Sequence, residues 1–221
     1  MSLSGLDSLL SRKRLLIFDF DGTLVDSSPL HARAFAEAFA PHGVTVDYPR
    51  IAGMTTENAV DRVAAEAGLG LDEPARTQLI GAKRQRGLEL IEAELAAIDG
   101  APDFVRAAAG RFRLALCTSG SRRSVEAALA RVGLDGCFDP AITAEDVARG
   151  KPDPEAFLLT LDRAECAAED ALIFEDADSG IAAAAAAGVD AVRIVAAGAA
   201  HSDAGEADWP ALNTALAELS A

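Results

Sequence analysis

The run Leu15-Leu16-Ile17-Phe18-Asp19-Phe20-Asp21-Gly22-Thr23 constrains this chain more than any other. It reads as a short apolar strand that stops at two aspartates separated by one residue. A buried strand normally excludes carboxylates, because an unpaired buried charge is very costly. Two of them at a strand's exit point to an electrostatic purpose: a nucleophile, an acid/base, a cation site, or all three. Gly22 lets the backbone turn sharply straight afterwards.

Similar apolar runs recur at Phe112–Cys117, Ala171–Glu175 and Ala191–Val195, with a weaker one at Pro140–Thr143. Helical patterns lie between them, at Ser121–Val132, Asp153–Arg163 and Ser179–Ala187. Strands alternating with helices imply βαβ units and a mostly parallel, Rossmann-like α/β sheet. Gly133 and Gly188 stand where helix C-terminal glycines belong. The alanine run 182–187 is expected to be a tightly packed helix.

The stretch 27–98 departs from this alternation. It is helical by pattern and has no convincing strand. It far exceeds an ordinary crossover of about a dozen residues. The expectation is an inserted helical cap domain over 27–98, with the α/β core formed by 1–26 and 99–221. Pro29 suits the first turn of the insert's opening helix, and Asp26 or Ser27 is positioned to cap it.

Composition bounds the partners. A chain of 221 residues, half of them hydrophobic, can build one large core with a smaller insert. A formal charge of −15 argues against nucleic acid or an anionic membrane surface as partner. Cys117, Cys137 and Cys166 have neither metal-site nor disulfide spacing, which suits a reducing compartment. No apolar run is long enough to span a bilayer, and no signal-peptide pattern opens the chain. The expectation is a cytoplasmic protein, monomeric or weakly dimeric.

The polar residues gather on this scaffold in one place. Asp19 and Asp21 follow the first strand, and Thr118-Ser119-Gly120-Ser121 follows the second. Gly150-Lys151-Pro152-Asp153-Pro154 follows the weaker candidate, and Glu175-Asp176 closes the fourth. All lie at the carboxyl ends of parallel strands, the edge where open α/β sheets bind ligands. The set suits phosphoryl transfer. A carboxylate can attack phosphorus, and a second can protonate the leaving oxygen and then activate water. Mg²⁺ takes hard oxygen ligands, which Asp19, Asp176 and nearby Glu175 supply. Lys151 can neutralise phosphate and hold Asp19 ionised. The Thr118 hydroxyl and the N–H groups of Ser119 and Gly120, near a helix N-terminus, can cradle phosphoryl oxygens.

In these four motifs, in order and over nearly its whole length, the chain resembles the haloacid dehalogenase superfamily. Asp19–Thr23 matches the first motif, Thr118 the second, Gly150–Pro154 the third and Glu175–Gly188 the fourth. The helical insert resembles the cap of the phosphoglycolate phosphatase and beta-phosphoglucomutase subgroup. The resemblance implies roles: Asp19 as nucleophile, Asp21 as general acid/base with its backbone carbonyl on Mg²⁺, Thr118 and Lys151 as phosphate and nucleophile partners. Asp176 is implied as a metal ligand, with Glu175 binding directly or through water. Beta-phosphoglucomutases carry a histidine at the position of His31 that links the cap to the acid/base aspartate. Asp178 reads either as a metal neighbour or as the cap of the Ser179 helix. Lys83, Arg84 and Arg86 read as a solvated cationic face.

The function implied is a Mg²⁺-dependent phosphatase acting on a small phosphorylated metabolite: a sugar phosphate, a sugar-acid phosphate or phosphoglycolate. A phosphosugar mutase and a non-catalytic phosphometabolite-binding regulator are the alternatives. Mutases of this kind place Lys and Arg in the early cap loop to grip a second phosphate. The matching loop, Ile51–Glu57, has neither, although Arg50 and Arg62 flank it.

Overall fold

In the computed structural model, which describes residues 3–198 and 205–219, the apolar runs pair into one parallel sheet. Helix α1 (Leu3–Leu10) leads into strand β1 (Leu15–Phe18), every residue of which is buried. After helices α2 (Ser28–Phe39), α3 (Thr56–Glu66), α4 (Glu73–Glu94) and α5 (Ala101–Ala108) comes β2 (Arg113–Cys117). Helix α6 (Arg122–Val132), β3 (Ala141–Ile142), α7 (Glu155–Arg163), β4 (Ala171–Glu175) and α8 (Asp178–Ala187) follow in alternation. Strands β5 (Asp190–Ile194) and β6 (Glu206–Ala207) and helix α9 (Trp209–Glu218) complete the described chain.

The strand order is β3-β2-β1-β4-β5-β6. The chain leaves β1 toward β2 and β3, then returns to lay β4 on the other flank of β1. That reversal makes β1 the switch point of the sheet, where loops diverge and leave a crevice at the carboxyl edge. Leu15–Phe18 pair in register with Arg113–Leu116 on one side and Ala171–Phe174 on the other. Strand β6 escaped the sequence reading because two residues carry no periodicity.

Buried aliphatic residues of the sheet pack against α7 and α8, with Phe157, Leu161, Ala183 and Ala184 all in one core cluster. The alanine run is a packed helix for that reason: its small faces let α8 approach the sheet. Phe18, Phe104, Phe174 and Trp209 form an aromatic cluster, with ring centroids 5.0–6.2 Å apart.

The chain divides into two compact units, residues up to 26 together with those from 96 onward, and residues 27–95. The return crossing comes at Ala96 rather than Asp99. Asp26 N–H donates to the Ala96 carbonyl at 3.1 Å, and Ile98 N–H to Leu24 at 2.9 Å. Residues 96–98 therefore belong to a short antiparallel neck, which helical periodicity does not reveal. The 27–95 unit contains α2, α3 and α4 and, among the described residues, no strand. Phe35, Phe39, Val60, Val63, Leu79 and Ile80 form its own core. Ser27 occupies the N-cap position of α2 without a side-chain capping bond, and Asp26 is exposed, so neither caps that helix as expected. Pro29 in the first turn supplies the start signal instead.

Candidate active site

The nucleophile candidate sits at the end of β1. Asp19 continues the sheet through its N–H, which donates to the Phe174 carbonyl at 2.9 Å, and its side chain is buried. Just beyond it, Leu24 and Val25 N–H both return to the Phe20 carbonyl, closing a tight turn. Gly22 has φ of +87° in that turn. A Cβ there would stand 2.2 Å from Asp176 Oδ2, so glycine is required both by the backbone and by the neighbouring carboxylate.

Lys151 joins the motifs. Its ammonium, 6 % exposed, lies 2.7 Å from Asp19 Oδ1 and 2.7 Å from Glu175 Oε2. It also donates to the Cys117 carbonyl at 3.0 Å and lies 5.0 Å from the Phe157 ring centroid. Burial alone would depress the lysine, but Asp19 and Glu175 outweigh it and hold it firmly protonated. Burial pushes the Asp19 carboxyl up to about 8, against the lowering pull of Lys151 and with help from Glu175 and Asp21. Asp176 is raised as well, by burial and then by Glu175.

Asp19, Glu175 and Asp176 each present an oxygen within 4.8 Å of the others. Three carboxylates against one lysine leave the cluster with an excess of negative charge, which adds to the burial that raises Asp19 and Asp176. A hard divalent cation such as Mg²⁺ would relieve that excess, so the donor set fits it. The two Glu175 oxygens are already engaged, one by Lys151 and the other by the Ala177 N–H at 3.1 Å.

Thr118 is buried at the end of β2, and its hydroxyl oxygen accepts the Gly120 N–H at 2.9 Å. That bond fixes the hydroxyl and commits the Gly120 amide, leaving the hydroxyl proton for another acceptor. Ser119 is exposed beside it, and Ser121 caps α6 through the Ser124 N–H. A Cβ on Gly120 would lie 3.7 Å from Asp21 Oδ2, so this loop and the second aspartate are neighbours.

Two residues behave differently from expectation. Asp178 is not a cap: Ala177 takes the N-cap position without a side-chain bond, and Asp178 is the first helical residue, its carboxylate 2.7 Å from Arg193. Lys83 is not on a solvated face. It is buried in the helical unit, 3.4 Å from His31 Nδ1, 3.4 Å from Thr56 Oγ1 and 4.6 Å from the Phe35 ring centroid. Its neighbours Arg84 and Arg86 pair with Glu57 and with Glu37 and Glu89.

Residues not found from sequence also shape the site. The Thr23 hydroxyl donates to Asp176 Oδ1 at 3.2 Å, Arg193 binds the Asp176 carbonyl at 2.7 Å, and Trp209 binds the Thr23 carbonyl at 2.9 Å. The partners are 17 to 186 residues apart in sequence, beyond the reach of any local pattern. A charged Arg193 inside the apolar run Ala191–Val195 was the available signal.

Residues 13–188 match the family model for haloacid dehalogenase-like hydrolases. The chain is 34 % identical over 186 residues to the validoxylamine A 7'-phosphate phosphatase of Streptomyces hygroscopicus subsp. limoneus, covering 82 % of this chain and 85 % of that protein. It is 33 % identical over 184 residues to the fructose-1-phosphate phosphatase YqaB of Escherichia coli K12, covering 81 % and 95 %. Its fold is similar to the crystal structure of CbbY from Rhodobacter sphaeroides in complex with phosphate, with a TM-score of 0.76 at 27 % identity, covering 88 % and 92 %. With four ordered motifs converging at one sheet edge and a family match over most of its length, this chain belongs to the haloacid dehalogenase-like hydrolases.

Proposed function

We propose that the protein is a Mg²⁺-dependent phosphatase of small phosphorylated sugars or sugar acids, working through an aspartyl-phosphate on Asp19. The observation that carries this reading is the Lys151 ammonium 2.7 Å from both Asp19 and Glu175, beside Asp176. The phosphatase names of its relatives support the reaction class.

Asp19 Oδ2 attacks phosphorus while the bond to the leaving oxygen breaks, and Asp21 gives that oxygen its proton. Asp21 then accepts a proton from water. The hydroxide so formed attacks the same phosphorus, releasing inorganic phosphate and restoring the Asp19 carboxylate. Lys151 favours the ionised form of Asp19 against the effect of burial and offsets phosphoryl charge, and the Thr118 hydroxyl donates to a phosphoryl oxygen. Mg²⁺, held by Asp19, Asp176 and the Asp21 carbonyl with Glu175 behind them, would supply positive charge against the phosphoryl oxygens. His31, with Lys83 beside it, would contribute to substrate selection.

The mutase alternative is weakened within that unit. Arg50 and Arg62, the two cations flanking the loop 51–57, both pair with Glu66 Oε1, at 3.2 Å and 3.1 Å. Neither lies in the loop itself, and both are turned toward that carboxylate.

Phosphate release from an aryl phosphate and from a panel of sugar phosphates, with and without Mg²⁺, tests the reading. Metal-dependent release is expected, ranked by kcat/KM toward a sugar or sugar-acid phosphate. In Asp21→Asn, mass spectrometry after incubation with an aryl phosphate should find the phosphorylated protein accumulating. Absence of turnover on every phosphomonoester would favour a binding role.

A further inference from the structure

Helix α8 begins without a capping side chain, since Ala177 at its N-cap cannot accept an N–H. The loop carrying Asp176 has one bond from within, the Ala177 N–H on Glu175 Oε1, and is otherwise held from outside. Arg193 does this from β5. Its Cα is paired with that of Glu175 in the sheet, and its own N–H is tied to the Gly205 carbonyl at 2.7 Å. From this anchored position the guanidinium spans the turn. One nitrogen donates to the Asp176 carbonyl at 2.7 Å, and another to Asp178 Oδ1 at 2.7 Å.

The two contacts differ in weight. Asp178 is 98 % exposed, and an exposed ion pair contributes little. The carbonyl contact is charge-assisted, and the Arg193 side chain is 28 % exposed, so this bond is better shielded and stronger. It acts on the peptide directly following the Asp176 Cα. The carboxylate of the same residue is held on its other side by the Thr23 hydroxyl and packed against Gly22. Asp176 is thereby fixed at both its main chain and its side chain.

We infer that Arg193 is a positioning residue for the divalent-cation site: it sets the aim of Asp176 through the backbone. This rests on the reading above that Asp176 is a cation ligand. The sign of the effect separates positioning from plain electrostatics. Arg193 is itself a cation, so deleting its charge near a cation site should strengthen Mg²⁺ binding by Coulomb's law. Positioning requires the opposite.

Calorimetric titration of the metal-free protein with Mg²⁺ alone, alongside the Mg²⁺ dependence of aryl phosphate turnover, provides the test. For Arg193→Met, which keeps the apolar stem, the expected result is a Mg²⁺ Kd raised about tenfold, the worth of one charge-assisted hydrogen bond. The deficit in aryl phosphate turnover should shrink as Mg²⁺ is raised, a rescue that general destabilisation would not produce. Asp178→Asn should leave the Mg²⁺ Kd within about twofold, because its contact is solvent-screened. Unchanged or tighter Mg²⁺ binding in Arg193→Met would overturn the inference. If that variant does not fold, Arg193→Leu, which also lacks a donor, is read by the same criterion. A wild-type protein that neither binds Mg²⁺ nor responds to it would instead overturn the cation site itself.

Discussion

The indole N–H of Trp209 donates to the carbonyl of Thr23 at 2.9 Å, in a fully buried setting. Thr23 passes the constraint on, since its hydroxyl donates to Asp176. Helix α9 thus braces the turn that follows Asp19, and Asn213 on the same helix holds the Gly100 carbonyl at 2.9 Å. Trp209→Phe keeps much of the aromatic packing and leaves the Thr23 carbonyl without this donor. Urea unfolding followed by circular dichroism should show a loss of about 1–3 kcal/mol. Stability equal to wild type would mean the bond carries no net weight.

Asp19→Asn should remove turnover while the protein stays folded. An amide is a poor nucleophile, and the substitution preserves side-chain shape. The expected fall in kcat is more than about a thousandfold. Steady-state assays together with a thermal melt check it, and activity above a tenth of wild type would contradict the covalent role.

Gly180 is fixed by its neighbour rather than by its dihedral angles. A Cβ at that position would come within 2.0 Å of Glu175 Cδ and Oε2, the oxygen that binds Lys151. Gly180→Ala must therefore push Glu175 off Lys151 or lift α8 from the sheet. The expected cost is about 1–3 kcal/mol of stability, with a marked loss of kcat/KM. A crystal structure of the variant with Glu175 unmoved would refute this account.

Asp146 gives a pH signature independent of catalysis. Its burial would raise the carboxyl, but the Thr143 N–H and hydroxyl, then Arg163 and Arg122, hold it down to about 2. A folded value below the unfolded one means the ionised form favours folding. The contribution is complete above the unfolded value of about 4 and fades as pH falls from there toward 2. Asp146→Ala should cost about 1–2 kcal/mol at pH 7, and the gap to wild type should narrow through that window. Denaturation across pH 2–7 measures it; a gap independent of pH would exclude the linkage.

His31→Ala should separate substrates. His31, itself half-buried, lies 3.4 Å from the buried Lys83 in the helical unit. A role in selection predicts that kcat/KM for a preferred sugar phosphate falls by about tenfold or more, and that for a small aryl phosphate much less. Equal effects on both would make the pair purely structural.

The sequence alone determined the alternation that dictates a parallel sheet, the helical interruption after β1, and the residues gathered at the carboxyl edge. Those features are local: apolar runs, glycines at turns and short polar motifs act over a few residues, and each strand's exit necessarily delivers its polar residues to the same edge. What only the tertiary structure decided was how those side chains are held. The sharing of Lys151 between Asp19 and Glu175, the space that Gly180 yields to Glu175, and the burial of Lys83 beside His31 arise from contacts between distant segments. Asp178 shows the difference most directly. Its place at the helix start suggested a cap, yet in the fold Arg193, 15 residues on, draws its carboxylate outward. A charged side chain goes to whichever partner the packed backbone brings nearest, and no local pattern records that choice.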